Sequence, residues 1–242
     1  MTRRAMLLAA AAALKRPPAN WIALALPGRT QTQNWAAMDK PVPMGSLLKP
    51  FLVLAYGITH TQFPVAYCRG ATTGCWYAHG HGTQNVVDAL ANSCNTYFLA
   101  LASAIDSSAL ESICLIYGLR ASPRLLPAPN LIGLGPGWPQ APRDVVRAFA
   151  NLAENASDPH VRLVLTGMTR CADTGTARAL GLRAYAKTGT AACSHLPRAS
   201  GDGFAVAIYP PDQPRHRLLV QRHNVTGAIA ARDIKPLSIS VL

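Results

Sequence analysis

Three short stretches carry side chains whose types and spacing could do nucleophilic chemistry: Ser46-Leu47-Leu48-Lys49, Ser93-Cys94-Asn95 and Lys187-Thr188-Gly189-Thr190. A serine hydroxyl is a weak nucleophile and needs a neighbouring base. On a helix, positions i and i+3 share a face, so a helix opening at Ser46 sets Lys49 beside the Ser46 hydroxyl. Burial among Leu47, Leu48, Phe51 and Leu52 would lower the Lys49 pKa towards that of a usable base. The helix N-terminus beneath Ser46 adds partial positive charge and free backbone N–H groups near a reacting carbonyl. Ser93 can relay a proton to a leaving amine, and the Asn95 amide can hold a substrate backbone group. Lys187 to Thr190 fall on a strand candidate. There an extended peptide could pair with the edge, Gly189 would admit it closely, and the Thr188 and Thr190 hydroxyls with Lys187 could hold a carboxylate.

The motifs differ in weight. From average residue usage, S-x-x-K or S-x-N occurs by chance about once in a chain this long, whereas K-T-G-T occurs about a few times per thousand chains. The elements that must position them can be read from pattern. Leu47 to Ile58 is apolar on most faces and reads as a buried helix. Asn85–Leu90 and Tyr97–Ile105 read as two helices parted by Asn92-Ser93-Cys94-Asn95, which puts the second motif at a tip. Arg143–Leu152, with Pro142 in its first turn, and Val161–Arg170 are further helix candidates. Trp21–Leu26, Thr30–Ala37, Arg183–Thr190, Gly203–Tyr209 and Arg217–Asn224 are strand candidates, and Thr226–Ala231 starts a last helix. Residues 60–82 show little regular pattern, and the Pro- and Gly-rich residues 120–142 read as a surface excursion. Strands, then helices, then strands predict an α+β domain with an antiparallel sheet.

Of the 242 residues, half are apolar, enough for a large core in one domain over residues 20–242. The net charge of +12 comes from 23 Lys and Arg against 11 Asp and Glu, a field that favours anionic partners. The arginines are scattered and no basic stripe is interleaved with aromatics, so no nucleic-acid partner is expected. Arg3 and Arg4 precede the apolar run Ala5–Leu14, which ends at Lys15 and Arg16. Residues 1–19 therefore have the build of an export leader, too short for a good membrane span. Export makes Cys68 and Cys75, seven positions apart, a candidate disulfide, with unpaired thiols as the plain alternative. The nearby His79 and His81 give C-x6-C-x3-H-x-H, a zinc alternative whose spacing fits none of the common frameworks. Cys94, Cys114, Cys171 and Cys193 read as small buried side chains.

Together the triplet resembles that of the penicillin-binding proteins and serine β-lactamases. Pro43-Met44-Gly45-Ser46-Leu47-Leu48-Lys49-Pro50-Phe51 is similar to the nucleophile segment of penicillin-binding transpeptidase domains. His79-Gly80 with Ala89 to Phe98 resembles their second-motif helix pair. Gly133-Leu134-Gly135, Pro142 and Phe149-Ala150 resemble the stretch that follows. Asp202 to Val206 resembles the strand after the third motif, and Thr226-Gly227 with Ala230-Ala231 the final helix. The resemblance implies a β-lactamase/transpeptidase-like antiparallel sheet sandwiched by helices. It implies Ser46 as nucleophile, Lys49 as base, Ser93 as relay, and an oxyanion hole from the N–H groups of Ser46 and Thr190.

The substrate class implied is the peptidoglycan stem peptide, with β-lactams forming a lasting ester on Ser46 and with no metal or organic cofactor. Transpeptidase, carboxypeptidase and β-lactamase outcomes share this first step. The only glutamates, Glu111 and Glu154, sit in no pattern resembling the deacylating loop of class A β-lactamases, and Asn95 departs from the S-x-V of class D. A penicillin-sensing or scaffolding domain is the reading from another class. For a chain this short a cell-wall remodelling protein is an expected partner.

Overall fold

The computed structural model describes residues 19–25, 29–121, 126–135, 138–192 and 201–234. All but the last residue of the expected leader, the Pro27-Gly28 turn and Cys193 lie outside these residues. The chain begins with β1 (Asn20–Ala25) and β2 (Arg29–Gln33), an antiparallel pair. It returns to the same sheet with β5 (Tyr185–Ala191), β6 (Asp202–Tyr209) and β7 (His216–Arg222), after two three-residue strands, β3 (Ala66–Cys68) and β4 (Gly82–Gln84), which pair only with each other. The large sheet has the order β2-β1-β7-β6-β5, antiparallel throughout, so β5 with the third motif is an edge strand.

Strand β6 is buried along its whole length, and its period-two alternation feeds two cores. Phe204, Val206 and Ile208 face one side with Val146 and Phe149. Ala205, Ala207 and Tyr209 face the other with Ala230 and Ile234. The first side is covered by α6 (Pro142–Glu154), opened by Pro142 where its missing N–H is harmless. The second is covered by α8 (Gly227–Ala230) and the 3-10 turn that follows it. The expected antiparallel sheet between helical layers is therefore the observed architecture.

The remaining helices hold the motifs. Helix α1 (Lys49–Thr59) is preceded by a 3-10 turn, Gly45–Leu48, and is buried along most of its length. Its Phe51 ring lies 5.4 Å from Tyr117 and 5.2 Å from Phe149. Helices α2 (Val86–Asn92) and α3 (Asn95–Ser103) meet at the second motif. Asn85 caps α2 by accepting from the Asp88 N–H at 2.9 Å. Helix α7 (Pro159–Asp173) is capped by Asp158, which accepts from the His160 and Val161 N–H groups.

Two regions differ from the sequence-based expectation. Within residues 120–142, a short helix α5 (Ala128–Leu131) is followed by Ile132, Trp138 and Gln140, all buried. Gln140 both accepts from the Arg120 N–H at 2.8 Å and donates to the Arg120 carbonyl at 3.0 Å, so the end of this stretch, residues 138–142, is an inward strap and not a surface excursion. Gly133 serves close backbone approach, since a Cβ there would lie 2.2 Å from the Gly45 carbonyl carbon. Helix α4 (Ser107–Tyr117), between the second motif and the strap, was not expected; Asp106 caps it and Gly118 ends it in the left-handed region.

Candidate functional site

Ser46 lies in the 3-10 turn, and the Lys49 N–H donates to its carbonyl. In such a turn residues i and i+3 eclipse, which fulfils the expected common face. The Lys49 side chain is fully buried, and its ammonium turns to the second motif. Nζ donates to Asn95 Oδ1 at 2.7 Å and to the Ser93 carbonyl at 2.9 Å, with Ser93 Oγ at 3.5 Å. It also lies 5.1 Å from the Phe98 ring centroid.

The tip that receives it is sharply formed. Ser93 ends α2 with φ 52° and ψ 40°, and Cys94 is extended and leads into α3 without a connecting loop. Only this reversal presents both the Ser93 carbonyl and the Asn95 amide to one ammonium. From the other side, Lys187 Nζ donates to Ser93 Oγ at 2.9 Å and to the Thr188 carbonyl at 2.8 Å. Ser93 Oγ thus lies between two buried lysines, and among the described residues neither lysine has a carboxylate partner.

That setting decides the lysine electrostatics. Burial, then the Lys187 charge, holds Lys49 well below the ordinary lysine range, against an opposing pull from the Cys94 and Cys75 thiols. Burial lowers Lys187 to about 8. A lysine held in this way can accept a proton near neutral pH.

A cleft of about 350 Å³ joins the three motifs, with Ser46, Ser93, Asn95, Thr188, Gly189 and Thr190 on its walls. The Thr188 and Thr176 hydroxyls share a hydrogen bond at 2.6 Å. Thr190 Oγ1 accepts from the Gly227 N–H at 3.0 Å, which leaves its own proton to donate. Gly189 lines the cleft and also has a packing job. A Cβ there would lie 2.4 Å from the Met44 carbonyl, so its bareness lets the Ser46 turn press against β5.

Pattern reading missed Trp76, Leu134 and Thr176, which complete the cleft. Trp76 is half-exposed, yet its Nε1 donates to the Asn92 and Ser93 carbonyls, both at 3.2 Å. Its signal was an aromatic residue in a polar loop; for Leu134 and Thr176 no local signal exists, because only packing brings them there.

The cysteine expectations need correction. Cys68 and Cys75 are free thiols. Instead of bonding to each other, both face His81 Nδ1, at 3.6 and 3.4 Å, and Cys75 Sγ lies 4.0 Å from Cys94 Sγ. A disulfide needs about 2.05 Å between sulfurs. Cys68, Cys75, His81 and Cys94 form the one group among the described residues that could hold a metal ion. His79 is not in it, and Cys94, read as a small buried side chain, is.

No family profile and no curated protein matches this chain. Solved structures do. Pseudomonas aeruginosa PBP2, determined in complex with WCK 5153, superposes with a TM-score of 0.74 at 18% identity, over 99% of this chain and 77% of that one. The TP domain of Burkholderia pseudomallei penicillin-binding protein 3 gives 0.71 at 17% identity, over 99% and 92%. The Helicobacter pylori complex between PBP2 and MreC gives 0.69 at 14% identity, over 93% of this chain and 61% of that one.

Proposed function

On a chain with the fold of the penicillin-binding transpeptidase domains, we propose a serine acyl-transferase that acts on peptidoglycan stem peptides and takes β-lactams at Ser46. The observation that carries this reading is Ser93 Oγ held between Lys49 and Lys187 in the cleft that also contains Ser46. In the proposed cycle neutral Lys49 takes the Ser46 proton, and Ser46 Oγ bonds to the carbonyl carbon of the penultimate D-Ala. The N–H groups of Ser46 and Thr190 hold the oxyanion. The C–N bond then breaks, and the terminal D-Ala amine leaves with a proton delivered from Lys49 through Ser93. Lys187 and the Thr190 hydroxyl hold the substrate carboxylate, and an incoming stem-peptide amine resolves the ester.

Transfer is favoured over β-lactam hydrolysis because no acidic side chain is among the described residues that line the cleft. Glu154 is instead paired with Arg217 at 2.6 Å, and Glu111 lies on α4. The reading places the protein in the cell envelope after export, beside a cell-wall remodelling partner as in the PBP2–MreC complex. Among the described residues no single helix is long and apolar enough to cross a membrane.

Intact mass after incubation with benzylpenicillin tests the reading. A lasting adduct on the wild type and none on Ser46→Ala is the expected result. Rapid drug hydrolysis without an adduct would replace it with a β-lactamase, and folded protein giving neither would replace it with a scaffold.

A further inference from the structure

Four side chains from four places converge outside the three motifs. Cys68 ends β3, Cys75 follows a 3-10 turn, His81 precedes β4, and Cys94 is the middle residue of the second motif. All three sulfurs are buried, and every pair among the four ligand atoms lies within 4.8 Å. The individual distances discriminate between a chance thiol cluster and a coordination site. For a tetrahedral ion with bonds of about 2.3 Å to sulfur and about 2.0 Å to nitrogen, the ligand atoms must stand about 3.8 Å apart for S–S and about 3.5 Å for S–N. The structure has 4.0 Å between Cys75 and Cys94 and 3.4 and 3.6 Å from His81 Nδ1 to Cys75 and Cys68. The geometry points to a structural zinc site, with Cys68, Cys75 and Cys94 as thiolate ligands and His81 Nδ1 as the fourth.

Two further observations support it independently. The sulfurs receive hydrogen bonds of the kind that solvate a bound thiolate. The N–H groups of His81 and Gly70 point at Cys68, those of Tyr77 and Asn95 at Cys75, and that of Tyr97 at Cys94. The Thr96 hydroxyl adds a donor to Cys68 Sγ at 3.3 Å. The surrounding lobe is also small, and it is tied to α3 by the Thr73–Thr96 hydrogen bond at 2.8 Å. Strands β3 and β4 have three residues each, and Val65, Tyr67 and Trp76 are more than half exposed. A hairpin this small does not stand alone in water. Gly70 (φ +72°) permits the tight fold of the lobe, since a Cβ there would overlap the Ala78 carbonyl. A closed four-ligand site would add folding energy to it.

The donor set selects the ion. Three sulfurs and one imidazole exclude calcium and magnesium, which take oxygen ligands, and a single tetrahedral centre of this size fits one zinc. Binding displaces the remaining thiol protons to solvent and involves no redox change. Because Cys94 lies between Ser93 and Asn95, both of which accept from Lys49, the metal would also brace the catalytic tip against the hairpin lobe.

The test uses the full chain without an affinity tag, purified without chelator, and reads metal directly. About one zinc per chain is expected, with an X-ray absorption first shell of three sulfurs near about 2.3 Å and one nitrogen near about 2.0 Å. Cobalt added to the chelator-stripped wild type should saturate at one equivalent with the intense visible bands of a tetrahedral site and a sulfur-to-cobalt charge-transfer band. Cys68→Ser and His81→Ala should lose the metal, and Cys114→Ser should keep it. Should the ligand variants not fold, the cobalt titration of the wild type decides alone. Folded wild type that binds no zinc, an octahedral cobalt spectrum, equimolar iron, or a Cys75–Cys94 disulfide in the purified protein would overturn the assignment. The metal readouts do not depend on penicillin binding, so this inference and the proposed activity fail separately.

Discussion

Replacing Lys49 by methionine should separate stability from activity, in a direction set by what surrounds its ammonium. The side chain is fully buried, donates to two neutral acceptors, the Ser93 carbonyl and Asn95 Oδ1, and faces a second buried lysine. Methionine fills nearly the same volume without a charge. The variant orphans two acceptors, at roughly 1–3 kcal/mol each. Against that it removes an amine that can be buried beside Lys187 only by shedding its proton or by bearing a desolvation cost of several kcal/mol. These terms are of similar size and opposite sign, so Lys49→Met should unfold within about 2 kcal/mol of the wild type in urea. Removing a buried ion usually strands its counter-ion; here no counter-ion is left behind. Acylation by a fluorescent penicillin, followed on gels as a second-order rate, should fall by about 10²–10⁴-fold, the usual worth of a positioned base. A loss of more than about 4 kcal/mol would show that the lysine is a structural hydrogen-bond hub, well beyond the near-cancellation argued above. A rate within about tenfold of the wild type would remove it from catalysis.

Lys187 carries a pH signature. Between its folded value of about 8 and the ordinary 10.5, the unfolded chain holds a proton there that the folded chain does not, so stability rises with pH across that window. The difference of about 2.5 pH units corresponds to about 3 kcal/mol, and urea midpoints at pH 7, 8.5 and 10 should show wild type gaining on Lys187→Met by that order. An unchanging gap would refute the buried-cation account. Gly189→Ala should cost about 3 kcal/mol or more and abolish acylation, because its methyl group would meet the Met44 carbonyl at 2.4 Å. Wild-type stability and acylation in that variant would mean that the nucleophile turn is not pressed onto β5.

What the sequence determined by itself is what short-range geometry controls. Ser46 and Lys49 share a face because any helical turn puts i and i+3 together, and Lys187 to Thr190 fall in the short strand candidate Arg183–Thr190, which the structure has as β5. Helix α4 went unread, although Asp106 and Gly118 mark its two ends. The inward course of residues 138–142 was not legible, because proline and glycine report local backbone freedom and say nothing of what the backbone approaches. Tertiary structure alone decided that Ser93 Oγ would lie between Lys49 and Lys187, residues 44 and 94 positions away in the chain. It also decided that Gly189 would serve the Met44 turn, and that Cys94 would join Cys68, Cys75 and His81. Each of these is a meeting of distant segments, set by the packing of whole helices and the order of strands, and no local spacing encodes it.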